Sequence, residues 1–268
     1  MKRNFYQKTI VITGASGNLG KAICRSFAAE GATIVALDYN PDTLQKMQTE
    51  LAQEQIEVLP IVCDITNKDA CYAAAKSILS QTGRIDGLVN NAGITHIERY
   101  TAMDKSKDIT RRVMEVNFFG AVNCTEAMLT EIVAHQGFFV NISSVAGFAP
   151  LLGRTAYAAS KHALHGFFES LGAELQADGV GCLMVCPSFI AAPEQHQASK
   201  ENNSIYQNKK TIGATVSATN IATEIKKALV QNRKILVMGK TGRLSYWARR
   251  IVPNFYEKRM IAQLKNDI

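Results

Sequence analysis

Apolar and polar positions follow two rhythms along this chain. Short, nearly unbroken apolar runs near 9–13, 33–37, 57–62, 86–90, 137–142, 180–186 and 234–238 have the length and β-branched content of buried strands. Between them, apolar residues recur three and four apart and predict helices near 18–30, 41–54, 67–82, 104–135, 155–177 and 217–231. Strict alternation of the two predicts an α/β fold, a doubly wound parallel sheet in three layers α/β/α with right-handed crossovers. Ligands of such a sheet lie beyond the carboxyl ends of its strands, and Thr13, Asp38, Asp64, Asn90 and Ser144 all fall there. One stretch, 188–216, is polar and aperiodic, a length that in a compact domain suits a lid.

Candidate chemistry gathers at two of those strand ends. The first strand runs into Thr13-Gly14-Ala15-Ser16-Gly17-Asn18-Leu19-Gly20 and then an amphipathic helix. Glycines there permit a tight turn and close approach of the backbone, and a helix N-terminus supplies amide donors for a pyrophosphate. The second strand ends in Asp38, whose carboxylate suits both ribose hydroxyls of NAD and repels the extra phosphate of NADP. Neither Ala15 nor Tyr39 offers a compensating cation, so NAD is favoured over NADP. Further on, Tyr157 and Lys161 stand four apart, on one face of the predicted helix, with Ser144 upstream at a strand end. A free phenol titrates at about 10, and a neighbouring ammonium is expected to lower it into the range useful for proton transfer.

Several motifs in this order resemble the short-chain dehydrogenase/reductase family, from about Lys8 to Met238. That resemblance implies a Rossmann fold and an NAD(P)-dependent oxidoreductase acting on a CH–OH group, with a small alcohol or carbonyl substrate. It implies a catalytic tetrad of Asn117, Ser144, Tyr157 and Lys161, in which Asn117 interrupts a helix and its carbonyl holds a relay water. Cofactor contacts are implied for Gly14, Ser16, Gly17, Asn18, Leu19, Gly20 and Asp38, for Asp64 and Ile65 at the adenine, and for Asn91, Ala92 and Gly93. Tyr157, Lys161, Pro187 and Ile190 complete that set at the nicotinamide end. Two positions depart from the family pattern. Asn18 stands where the single-domain branch has glycine and is expected to take a left-handed conformation, and Ala192 replaces a threonine that bonds the carboxamide. Homodimers or homotetramers built on the long helices near 104–135 and 155–177 are also implied, with a stripe of Ala163, Phe167, Leu171 and Leu175 on the second.

Composition adds limits and one complication. At 268 residues the chain suits one domain over 1–238, followed by an extension over 239–268. Six scattered cysteines show no metal spacing, and Cys182 and Cys186 read as small core residues. No residue is assigned to a metal, and the histidines, His196 among them, are given no role. Without a signal peptide or an apolar stretch of membrane length, a cytoplasmic setting is expected. The extension holds seven Lys/Arg against two acidic residues, a balance of +5 out of +7 for the whole chain. Leu244, Trp247, Ile251 and Phe255 recur there at helical spacing, and Pro253 is expected to kink the helix. Such a segment suits either peripheral contact with an anionic membrane or docking on protein. Nothing resembles a module that reads nucleic acid. Two other functions stay open: an NADPH-dependent reductase of a lipid-like carbonyl, and a non-catalytic protein that senses dinucleotide.

Overall fold

The computed structural model describes residues 3–190 and 215–264. A central parallel sheet runs in the order β3-β2-β1-β4-β5-β6-β9, from β3 (Val58–Val62) at one edge through β2 (Thr33–Asp38), β1 (Thr9–Thr13), β4 (Gly87–Asn90), β5 (Phe138–Ile142) and β6 (Gly181–Cys186) to β9 (Ile235–Val237). The order reverses at β1 and β4, whose carboxyl ends therefore open a crevice. Alternate residues of one strand serve opposite layers. Ile10 and Ile12 pack under α1 (Asn18–Ala28), α2 (Pro41–Gln53) and α7 (Ala218–Val230), whereas Val11 and Leu37 face α3 (Lys68–Thr82) and α5 (Gly120–Ala134). Full burial on both faces explains why these strands read as apolar runs.

Three features differ from the expectation. The helix anticipated over 104–135 is divided into a 3₁₀ turn at Lys105–Lys107, α4 (Ile109–Met114), a π turn at Glu115–Phe119, and α5. Two short strands, β7 (Phe189–Ile190) and β8 (Thr215–Val216), form a separate parallel pair across the foot of the aperiodic stretch. Pro253 does not kink one helix but opens a second, α9 (Pro253–Leu264), after α8 (Lys240–Ile251). At a first helical position its missing N–H costs nothing. Gly242 of α8 presses against the body, since a Cβ there would lie 3.4 Å from Val237 and 3.6 Å from Val145. Cys186 is a core residue and Cys182 a half-buried one packed against the core, and burial pushes both thiols up to about 12.

Candidate active site

The turn after β1 is shaped by two glycines. Gly14 has φ +60°, and a Cβ on it would meet Ala92 Cα at 2.8 Å; one on Gly20 would lie 2.4 Å from the Gly14 carbonyl. Gly17 caps α1 without a side chain, and no acidic residue occupies the first helical turn, so its N–H groups suit an anionic ligand. Asn18 does not adopt the expected left-handed conformation: it is the first residue of α1, outside the set of positive-φ residues, so this position does not require glycine. The hydroxyl of Thr13 accepts the N–H groups of Asn91 and Ala92, each at 3.0 Å, and Asn91 Nδ2 donates to the carbonyls of Thr13 (2.9 Å) and Gly14 (3.0 Å). These bonds lock the loop after β4 to the glycine turn.

Two clefts meet over that locked pair of loops. The smaller, about 590 Å³, is walled by Asp38, Tyr39, Asp64 and Ile65 on one side and by Lys107, Arg111 and Arg112 on the other. Asp38 accepts the N–H of Ser16 at 3.1 Å and also its hydroxyl, so Ser16 turns toward the carboxylate, and neither Ser16 nor Asn18 is among the residues lining these two clefts. The larger, about 1080 Å³, takes in Gly17, Leu19, Gly20, Asn91, Ser144, Tyr157, Lys161, Pro187 and Ile190, and reaches α8 and α9. Gly14, Ala92 and Gly93 belong to both. A dinucleotide fits this layout, since the α1 terminus offers N–H groups to a pyrophosphate and the two clefts extend from it, one to Asp38 and the other to Tyr157.

The side chains expected to be catalytic come from three elements. Ser144 follows β5 and starts the 3₁₀ turn Val145–Gly147, where its Oγ accepts the Ala146 N–H at 3.2 Å. Tyr157 and Lys161 occupy the first two turns of α6 (Thr155–Glu174). Lys161 is buried, donates from Nζ to the Ile142 carbonyl at 2.8 Å, and lies 5.7 Å from the Tyr157 ring centre. Burial brings its pKa down to about 8. The expectation that Lys161 lowers the phenol is not met in this arrangement. Burial raises Tyr157, and the opposing effects are a hydrogen bond with Ser144 and the charge of Arg154, whose guanidinium carbon lies 5.9 Å from the ring centre.

Asn117 sits within the π turn, whose closing bond runs from the Gly120 N–H to the Glu115 carbonyl. Its side chain accepts the Ile94 N–H at 2.7 Å and donates to the Ile94 carbonyl and to Ser160 Oγ, both at 2.9 Å. Ser160 in turn donates to the Tyr157 carbonyl at 2.8 Å. Gly93 abuts this group, for a Cβ there would come 3.2 Å from Asn117 Oδ1 and 3.6 Å from Lys161 Nζ.

Sequence reasoning assigned no role to Ser160, Arg154, Arg111 or Arg112, and named Thr13 only as the end of a strand. Thr13 and Ser160 were legible as polar residues beside known motifs, and Arg154 stands three before Tyr157, a spacing that places it on the same helical face. Arg111 and Arg112 carried no such signal, since they reach the smaller cleft from a distant helix. Ala192 and His196 lie outside the described residues.

Comparisons with known proteins agree with this geometry. A family model described as short chain dehydrogenase matches residues 8–203. Dehydrogenase/reductase SDR family member 7B of Bos taurus is 32% identical over 267 residues, covering 96% of this chain and 82% of the relative. Oxidoreductase UcpA of Escherichia coli is 34% identical over 198 residues, 73% of this chain and 74% of its own. In three dimensions, a short-chain dehydrogenase/reductase from Burkholderia phymatum in complex with NAD superposes with a TM-score of 0.80 at 24% identity, over 92% of this chain and 94% of that one. An NAD+-bound xylitol dehydrogenase gives a TM-score of 0.74 at 23% identity, over 85% and 94%. Glycine turn, paired clefts and the Ser-Tyr-Lys cluster thus accompany a match over most of the sequence, and the chain belongs to the short-chain dehydrogenase family, an oxidoreductase with a Rossmann-type sheet.

Proposed function

We propose that this oxidoreductase interconverts a secondary alcohol and its ketone with NAD(H), through Ser144, Tyr157 and Lys161. The observation that carries the reading is the placement of the Tyr157 phenol beside the Ser144 hydroxyl in the larger cleft, with Lys161 buried behind them. Bound nicotinamide supplies the hydride acceptor or donor. Ser144 holds the substrate oxygen, and Tyr157 removes its proton during oxidation or delivers one during reduction. Lys161 provides positive charge under the phenol, while Asn117 and Ser160 fix the α6 turn on which Tyr157 stands. Burial keeps Tyr157 protonated at neutral pH, which suits the reductive direction; oxidation needs the phenolate and gains as pH rises.

Asp38 at the adenosine cleft supports NAD. A second reading, an NADPH-dependent reductase of a lipid-like carbonyl, draws on Lys107, Arg111 and Arg112 across the same cleft, where a phosphate would find cations. A sensing role without turnover sits poorly with an assembled tetrad.

One set of assays separates these readings. Initial rates on a panel of secondary alcohols and ketones are measured with each cofactor, for wild type and Tyr157→Phe. We expect faster oxidation with NAD+ than NADP+, a rise in that rate from pH 7 to pH 9, and a loss of roughly a hundredfold or more in the variant. A variant within a few-fold of wild type would refute the role of Tyr157, and preference for NADP+ would transfer the assignment to the arginine side of the cleft.

A further inference from the structure

The two C-terminal helices present six apolar side chains to solvent: Leu244, Trp247, Ile251, Val252, Phe255 and Ile261, from 40% to 71% exposed. Three of them, Leu244, Val252 and Phe255, also line the larger cleft. Its rim and the exposed apolar face are therefore one surface. Cations flank that surface, with Arg249 and Arg250 at the end of α8 and Lys258 and Arg259 on α9, and the segment 239–268 carries +5. Arg250 lies 3.8 Å from the Tyr246 ring centre, and Tyr246 meets both Phe148 of the body and Trp247 of the outer face. Among the described residues no helix is long and apolar enough to cross a membrane, so contact with a bilayer would be along its surface.

We propose that α8 and α9 seat the mouth of the catalytic cleft on an anionic lipid bilayer, from which an amphipathic alcohol or carbonyl reaches Tyr157 without crossing water. This rests on the larger cleft being the substrate site. An apolar face bordered by cations complements the acyl and headgroup layers together, and Trp247 and Phe255 suit the interface between them. A bilayer also covers the rim while delivering substrate to it, whereas a protein clamped on Leu244, Val252 and Phe255 would close the opening.

The test uses the full chain and vesicles of phosphatidylcholine, alone or with about a third phosphatidylserine. Trp247 is the only tryptophan, so its emission reports on this face alone. We expect a blue shift and co-sedimentation with anionic vesicles, weakened roughly tenfold or more when salt is raised from low to high. Replacing Trp247 and Ile251 by serine, neither of which lines the cleft, should abolish sedimentation and leave turnover of a water-soluble substrate unchanged. Lipids brominated in the acyl chain should quench Trp247, and should also quench a tryptophan placed at the rim by Phe255→Trp in a Trp247→Phe background. Quenching at 247 without quenching at 255 would turn the mouth away from the bilayer and overturn the proposal. So would indifference to vesicles, or a serine variant whose only change is loss of oligomer mass, which would give the face to a second copy of the chain. Tyr157→Phe should bind vesicles as wild type does, so failure of the catalytic reading leaves this readout intact.

Discussion

Lys161 illustrates how a buried cation opposes stability at a single residue. Its amine ordinarily titrates at 10.5, and burial brings it to about 8 in the fold. The unfolded chain therefore keeps the proton over a range in which the folded chain has released it, so stability rises with pH between about 8 and 10.5. Below that window the cost of burying the cation is present, on the order of 3 kcal/mol, of which the charge-assisted bond to Ile142 offsets about 1.5 kcal/mol or more. Lys161→Met should thus melt at a higher temperature than wild type at pH 7 in the absence of cofactor, with the gap closing toward pH 10, while turnover is lost. Calorimetry across that range checks the sign, and a variant less stable at pH 7 would contradict it. Tyr157, Lys161 and Ser144 stand out in the sequence because their types and spacing imply a shared oxygen, whereas Asn117 rested on the family resemblance alone. The direction of the Tyr157 shift was not legible, because burial outweighs the neighbouring charge and burial is a property of packing.

Among the elements, those defined by apolar periodicity were found nearly to the residue, as in the strand expected over 33–37 and seen at Thr33–Asp38. The break in the helix expected over 104–135 was implied at Asn117 by the family resemblance, but periodicity missed the π turn at Glu115–Phe119 because one widened turn leaves helical spacing intact on either side. β7 and β8 are two residues each, too short to show any period, and their pairing joins residues far apart in sequence. Two positions within α1 are expected to behave oppositely. Gly20→Ala should lower both the melting temperature and dinucleotide affinity, since its Cβ must push on the Gly14 carbonyl and the Ala15 backbone; overpacking of this kind costs about 1–3 kcal/mol. Asn18→Gly should leave cofactor affinity within about twofold, since Asn18 has helical backbone and helix-terminus glycine effects are small. Titration of both variants with NADH, followed by fluorescence, decides the matter. Equal binding by Gly20→Ala and wild type would show that the turn adjusts.

Across the whole molecule, the parallel sheet gathers every assigned chemical group at one end, and the remaining exposed apolar surface divides between that end and the sides. Phe119 is exposed in the π turn, and Phe118, Phe167 and Phe168 form a chain of edge-to-face rings where that turn, at the head of α5, packs on α6. Pairing of two chains through these helices is expected, and light scattering at micromolar concentration should return at least twice the 29.3 kDa of one chain. A monomer mass would refute it. Phe167 and Leu171 of the stripe read from sequence are only half-buried, which leaves them surface to offer, whereas Leu175 is spent on the core. The opposite end of the sheet has a fixture of its own. Arg3 donates to the carbonyls of Gln136, Gly137 and Gly179, and so fastens the amino-terminal segment at the starts of β5 and β6. A fusion partner, dye or immobilisation handle joined ahead of Arg3 would project from the floor of the molecule, far from the cleft, whereas the same attachment after α9 would hang over its rim. Biochemical work on this chain is best tethered by its amino end.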